Sequence, residues 1–223
     1  MPGPRLDHYA IALRITREFK EGMLVNLGAG IPTLCSNLIP SDLDILLHSE
    51  NGMVGYGPVI QDPERADPTL INAGGQPAEY RPGLAIIDHA ESFAMVRGGF
   101  IDISVLGAYQ VSARGDLANT VMPGKQIGSL GGAQDLAFRA KRLIVAMSHT
   151  DKGDRPKLVK ECSTPITAPA CVKLIVTDIA VIEIAPDGPI LREHAPGWTV
   201  REIQDLTEPQ LIVADDFREI DLA

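Results

Sequence analysis

Met23-Leu24-Val25-Asn26-Leu27-Gly28-Ala29-Gly30-Ile31-Pro32-Thr33-Leu34 reads as a short apolar strand, a glycine-rich turn and the opening of a helix. A run of apolar residues without alternation fits a strand buried on both faces, as in a parallel sheet. Pro32 stands where the helix should open, a position at which its missing N–H costs nothing. Upstream, Asp7 is placed to cap a helix whose Ile11, Ile15 and Phe19 recur every four residues, and Gly22 is placed to end it. Downstream, Asp44-Ile45-Leu46-Leu47-His48-Ser49 reads as a second strand ending in Glu50-Asn51-Gly52, whose Asn-Gly step marks a sharp turn.

The rest of the chain continues the alternation. Residues 55–83 are rich in Gly, Pro and polar groups; they read as a long excursion in which Val59-Ile60 or Leu70-Ile71 offers one short strand. Loops of that length in compact domains are usually functional. A helix over 91–97 leads through Gly98-Gly99 into a strand over 101–106. The cluster Gly128-Ser129-Leu130-Gly131-Gly132 precedes a helical pattern, and residues 142–147 form a strand. Residues 173–176 and 180–184 can pair across Thr177-Asp178, Thr199 and Glu202 form a capping-box pattern, and residues 211–213 give a final strand. The expected architecture is α/β: a mostly parallel open sheet with helices on both faces, in one domain over 1–223.

Composition removes several function classes. Lys and Arg number 20 against 29 Asp and Glu, a net charge of −9, so the basic footprint that nucleic acid or an anionic membrane requires is missing. With 45% hydrophobic and 22% charged residues the chain is globular rather than disordered. At 4% aromatic residues, the core must be built from Val, Ile, Leu and Ala. Cys35, Cys162 and Cys171 are sparse and lack a C-x-x-C pair, which fits a reducing compartment and argues against structural zinc. Met1-Pro2-Gly3-Pro4-Arg5 carries no apolar signal region, and no run approaches the ~18 residues of a membrane helix, so a cytoplasmic protein is expected.

Three places could carry chemistry. Gly28-Ala29-Gly30 follows a strand, but Thr33 stands where a dinucleotide fingerprint needs its third glycine. The turn is therefore a weak nucleotide loop, a tight packing turn, or a set of bare N–H groups for an anionic oxygen. Glu50 sits at the carboxyl end of a strand, where ligands of open α/β sheets bind; it is either a turn carboxylate or a reactive one. Gly131 and Gly132 allow close backbone approach to a ligand or make a flexible surface loop. The H-x-E triplets His48-Ser49-Glu50 and His89-Ala90-Glu91 lack the P-C-x-x-C of a zinc deaminase, and no metal site is expected. His48 shares strand parity with Glu50 and is the histidine to watch. No G-x-S-x-G elbow and no P-loop occurs.

Ser49-Glu50-Asn51-Gly52 resembles the S-E-N-G active-site motif of the β subunits of class I CoA-transferases, in the branch of the succinyl-CoA:3-ketoacid and 3-oxoadipate enzymes. Asn26-Leu27-Gly28-Ala29-Gly30-Ile31-Pro32-Thr33-Leu34 is similar to that family's N-L-G-I-G-I-P-T-L stretch. Phe93-Ala94-Met95-Val96-Arg97-Gly98-Gly99 with Val105-Leu106-Gly107-Ala108 resembles another family block. So do Gly115-Asp116-Leu117-Ala118-Asn119, Pro123-Gly124-Lys125 and Gly131-Gly132-Ala133-Gln134-Asp135-Leu136, and, near the end, Thr177-Asp178 and Ile182-Glu183. The likeness runs in order along most of the chain. Ala29 and Gln134 depart from the family's Ile and Met, which touches acyl specificity rather than reaction class.

The resemblance implies a nucleophilic Glu50, with Asn26, Gly131 and Gly132 at the oxyanion or substrate. It puts Gly28, Ala29, Gly30, Asn51 and Ala133 around the pocket for coenzyme A. It implies CoA as substrate with no permanently bound cofactor, short carboxylic acids as acyl partners, and a separate α subunit in an α2β2 assembly. The chemistry is coherent, because a carboxylate is ionised at neutral pH and needs no general base. The charge of −9 disfavours steering of an anionic substrate, so local donors or the partner must supply positive field.

Overall fold

The computed structural model describes residues 2–122, 124, 128 and 130–222. Pro123, Lys125 and Ser129, singled out above, lie outside the described residues. The first half comprises α1 (His8–Thr16), β1 (Leu24–Leu27), α2 (Ile31–Leu34), β2 (Leu46–Ser49), β3 (Met53–Val54), β4 (Ala85–Ile86), α3 (His89–Arg97) and β5 (Ile103–Leu106). There follow β6 (Gln110–Ser112), β7 (Leu117–Ala118), α4 (Ala133–Arg139), β8 (Arg142–Ala146), β9 (Leu158–Val159) and β10 (Val172–Val176). The chain closes with β11 (Ala180–Ala185), β12 (Gly188–His194), α5 (Val200–Asp205) and β13 (Ile212–Glu219).

Ten strands form one sheet in the order β13-β12-β11-β10-β8-β5-β1-β2-β3-β4, and β7-β6-β9 form a small second sheet. The five central strands from β10 to β2 are all parallel. Antiparallel hairpins extend this centre on both sides: β10–β11–β12 on one, β2–β3–β4 on the other.

Strand alternation divides the apolar residues between two cores. Val25, Leu27, Ile103, Val105, Ile144 and Ala146 cluster with Ile11, Ala12 and Ile15 of α1. Their neighbours Leu24, Leu106, Leu143 and Val145 cluster with Val96 of α3, Leu136 of α4 and Ile203 of α5. Helices therefore cover both faces, as the unbroken apolar runs require. Local signals set the helix starts. Asp7 accepts from the Ala10 N–H at 2.8 Å, and Asp88–Glu91 and Thr199–Glu202 both close capping boxes.

Some expectations need correction. The first helix stops at Thr16; Phe19 stays in the core but from a turn, and Gly22 (φ 74°) belongs to the entry into β1. The four-residue spacing thus outlasts the helix by one step. Within the 55–83 excursion there is no strand, only isolated bridges of Val59 with Ala78 and Ile71 with Pro77. The final strand runs Ile212–Glu219, beyond the expected 211–213, because its charged half sits on a sheet edge where charges are tolerated. No helix among the described residues is long and apolar enough to cross a membrane.

Candidate active site

The parallel centre brings four chain segments to one place. Gly28 follows β1, Glu50 follows β2, Gly107 and Ala108 follow β5, and Met147 and Ser148 follow β8; all line one cavity of about 520 Å³. Gly131, Gly132 and Ala133, at the start of α4, complete its wall. The cavity lies outside the carboxyl ends of parallel strands, the usual ligand position of such sheets.

Asn26, wholly buried on β1, sends its Nδ2 to Glu50 Oε2 at 3.2 Å. The same nitrogen lies 3.2 Å from His48 Nδ1 and 3.2 Å from the His48 carbonyl oxygen. The amide oxygen accepts from Ser104 Oγ at 3.4 Å, and the two acceptor-only oxygens facing the other end, the His48 carbonyl and Glu50 Oε2, assign that end as the NH2. With Asn26 Nδ2 as donor toward His48 Nδ1, the tautomer that suits this geometry carries its proton on Nε2, 3.0 Å from Ser92 Oγ. Burial pushes His48 down to about 4, consistent with a neutral ring.

The glycines divide by role. A side chain on Gly132 would place a carbon 3.3 Å from Glu50 Cγ, so the bare backbone lets α4 approach that carboxylate closely. The Gly28 N–H is bonded to the Val105 carbonyl at 2.9 Å, and a Cβ there would sit 3.1 Å from the same oxygen. Of the readings open for the first turn, Gly28 thus meets the tight-packing one. Ala29 lines the cavity, whereas Gly30, the cap of a one-turn helix, is not among its lining residues.

Asn51 is also outside the cavity wall. Its Nδ2 reaches the Ile71 carbonyl at 2.8 Å, and Ser49 Oγ accepts from the Ala73 N–H at 2.7 Å. Gly52 has φ 121°, and a Cβ there would fall 2.3 Å from the Ile87 oxygen. Within Ser49-Glu50-Asn51-Gly52, only Glu50 faces the cavity; its neighbours fasten the 55–83 excursion and turn the chain.

Lys157 was not legible beforehand. It lines the cavity opposite in charge to Glu50, and burial pushes its amine down to about 8 against the opposing pull of Asp178 and Asp151. It is a local cation of the kind the acidic chain calls for. A second cavity of about 650 Å³ adjoins through Tyr109, Ser148 and Lys157. None of the three thiols lines either cavity; burial pushes Cys35 up to about 12 and Cys162 and Cys171 up to about 11, so they are poor nucleophiles. Among the described residues no three His, Cys, Asp or Glu side chains are grouped to hold a metal ion.

The family model for coenzyme A transferases matches residues 9–206. The chain belongs to the coenzyme A transferase family. It is 42% identical over 213 residues to the β subunit of the acetate CoA-transferase of Haemophilus influenzae, covering 96% of this chain and 95% of that one. It is 44% identical over 202 residues to one subunit of the probable succinyl-CoA:3-ketoacid coenzyme A transferase of Bacillus subtilis, covering 90% and 93%. Its fold superposes on the acyl-CoA transferase YdiF of Escherichia coli O157:H7 with a TM-score of 0.76 at 21% identity. All of this chain is covered there but only 44% of the YdiF chain, so this coenzyme A transferase chain spans less than half of that structure.

Proposed function

We propose that this chain is the β subunit of a CoA-transferase that moves CoA from an acyl-CoA, succinyl-CoA in the first instance, to a 3-oxo acid. The observation that carries it is the Glu50 carboxylate at a parallel-strand end, on the cavity wall, with the Asn26 amide at 3.2 Å and bare Gly132 beside it. A Glu50 oxygen attacks the thioester carbonyl, the C–S bond breaks, and a mixed anhydride and CoA thiolate result. The thiolate then attacks the glutamyl carbonyl, expelling the donor's carboxylate and leaving Glu50 as its CoA thioester. The acceptor acid runs the two steps in reverse.

Each addition puts negative charge on an oxygen. A preorganised donor there is worth about 3–4 kcal/mol, which is the task assigned to Asn26 and the Gly131–Gly132 turn. Lys157 offsets the anionic character of substrate and nucleophile. The CoA moiety contributes remote binding energy that helps offset the cost of the anhydride. A separate α subunit completes the enzyme, in keeping with relatives that are themselves named as single subunits of a larger enzyme.

The test is to co-express the chain with its α subunit, incubate with succinyl-CoA, and map the adduct by peptide mass. A CoA-derived label on Glu50, and loss of transfer in Glu50→Ala and in freshly purified Glu50→Gln, is expected. A label elsewhere, or transfer surviving both substitutions, refutes the proposal. Free CoA released at the full rate without acceptor acid would make the chain part of a hydrolase instead.

A further inference from the structure

We propose that His48 is a positioning residue that holds the Asn26 amide on Glu50, a role that rests on the transfer reaction above. Ser92, His48, Asn26 and Glu50 stand in series, with contacts of 3.0, 3.2 and 3.2 Å. Ser92, His48 and Asn26 are each fully buried, so no water competes for these groups. Ser92 lies on α3, whose first turn is fixed by the Asp88–Glu91 capping box, and it anchors the outer end of the series.

The amide has two hydrogens and faces three acceptors: His48 Nδ1, the His48 carbonyl and Glu50 Oε2. A flipped amide would set Oδ1 against two oxygens and a ring lone pair, and its NH2 against the Ser104 hydroxyl. The Nδ1 lone pair contributes to this discrimination only while the ring proton sits on Nε2, where Ser92 Oγ at 3.0 Å is placed to accept it. Had the proton been on Nδ1, two N–H groups would meet and the amide would be driven off the carboxylate. His48 does not line the cavity; it touches neither substrate nor reacting atoms and acts through Asn26.

The experiment uses the α–β complex and a double-mutant cycle. His48→Leu should lower kcat about tenfold, the weight of one aligning hydrogen bond, with KM for acyl-CoA within about twofold. His48→Asn, whose Oδ1 occupies the place of Nδ1, should recover most of that loss. In an Asn26→Ala background His48→Leu should cost nothing further. Ser92→Ala, a milder change, should lower kcat by a smaller factor that also vanishes with Asn26→Ala, and it decides the matter if His48→Leu does not fold. Equal losses with and without Asn26, a rise in KM at unchanged kcat, or no rescue by His48→Asn would overturn the proposal. Transfer by Glu50→Gln would instead sink the underlying reaction, independently of what His48 does.

Discussion

Gly132→Ala should damage catalysis while sparing the fold. Gly132 has φ −84° and ψ −1°, a negative-φ conformation at the edge of the helical region that is open to alanine. Its new methyl would lie 3.1 Å from Phe93 Cζ and 3.3 Å from Glu50 Cγ. Comfortable carbon contacts begin at ~3.5 Å, so the neighbours must yield by about 0.2–0.4 Å. Phe93 is hemmed in by the His89 ring at 4.8 Å and the Arg97 guanidinium at 5.8 Å, which leaves much of the movement to Glu50. Displacement of an attacking oxygen by a few tenths of an ångström should lower kcat/KM about 10–100-fold, with stability changed by less than about 1 kcal/mol. Gly131→Ala shows what backbone strain alone costs the fold: φ is 49°, so alanine should lose about 1–2 kcal/mol, although among the described residues nothing lies within 4 Å of the new methyl. Steady-state kinetics and urea midpoints on both variants separate the two effects. Wild-type turnover by Gly132→Ala would show that α4 does not press on Glu50.

Other outcomes follow from buried charge. Arg14 bonds Glu193 through Nε at 2.6 Å and NH2 at 3.0 Å in the core, so Arg14→Met should cost about 3–5 kcal/mol in denaturant unfolding; a loss under 1 kcal/mol would mean that Arg218 alone satisfies the carboxylate. His48 takes up its proton near 6.5 when unfolded and about 4 when folded, so its contribution is complete above the former and shrinks as pH falls toward the latter. Between pH 7 and 5 that is about 2 kcal/mol, and His48→Asn should lose correspondingly less stability over the same interval; parallel pH profiles would contradict a neutral buried ring. Lys157, charged below about 8, should make KM for the anionic acceptor rise as pH passes that value, and Lys157→Met should abolish the dependence while Lys157→Arg moves it out of range. An unaltered profile in Lys157→Met would place the titration elsewhere.

The apolar runs at 23–27, 101–106 and 142–147 announced the parallel centre because a strand buried on both faces is apolar along most of its length, the buried Asn26 and Ser104 being exceptions that bond to each other. β12 escaped notice, since Pro189, Arg192 and Glu193 break its pattern; Glu193 can be buried there only because Arg14 and Arg218 meet it, and α1 is far away in sequence. The same distinction holds at the site. Glu50 stood out by its place after a strand, and Asn26 and the glycines were legible through family likeness. Lys157 carries no local signal: it sits in a polar loop and reaches the cavity by the path of the chain after β8. Asn51 shows the converse, a motif residue whose side chain serves a distant loop rather than the cavity.

The fastening of the 55–83 excursion has a mechanical consequence. Its two tethers, Ser49 to Ala73 and Asn51 to Ile71, grip the residues immediately before and after Glu50. A force exerted on that outer segment would reach the Glu50 carboxylate from both sides at once. The same two bonds make the placing of one side-chain oxygen depend on how a loop twenty residues further along the chain is seated.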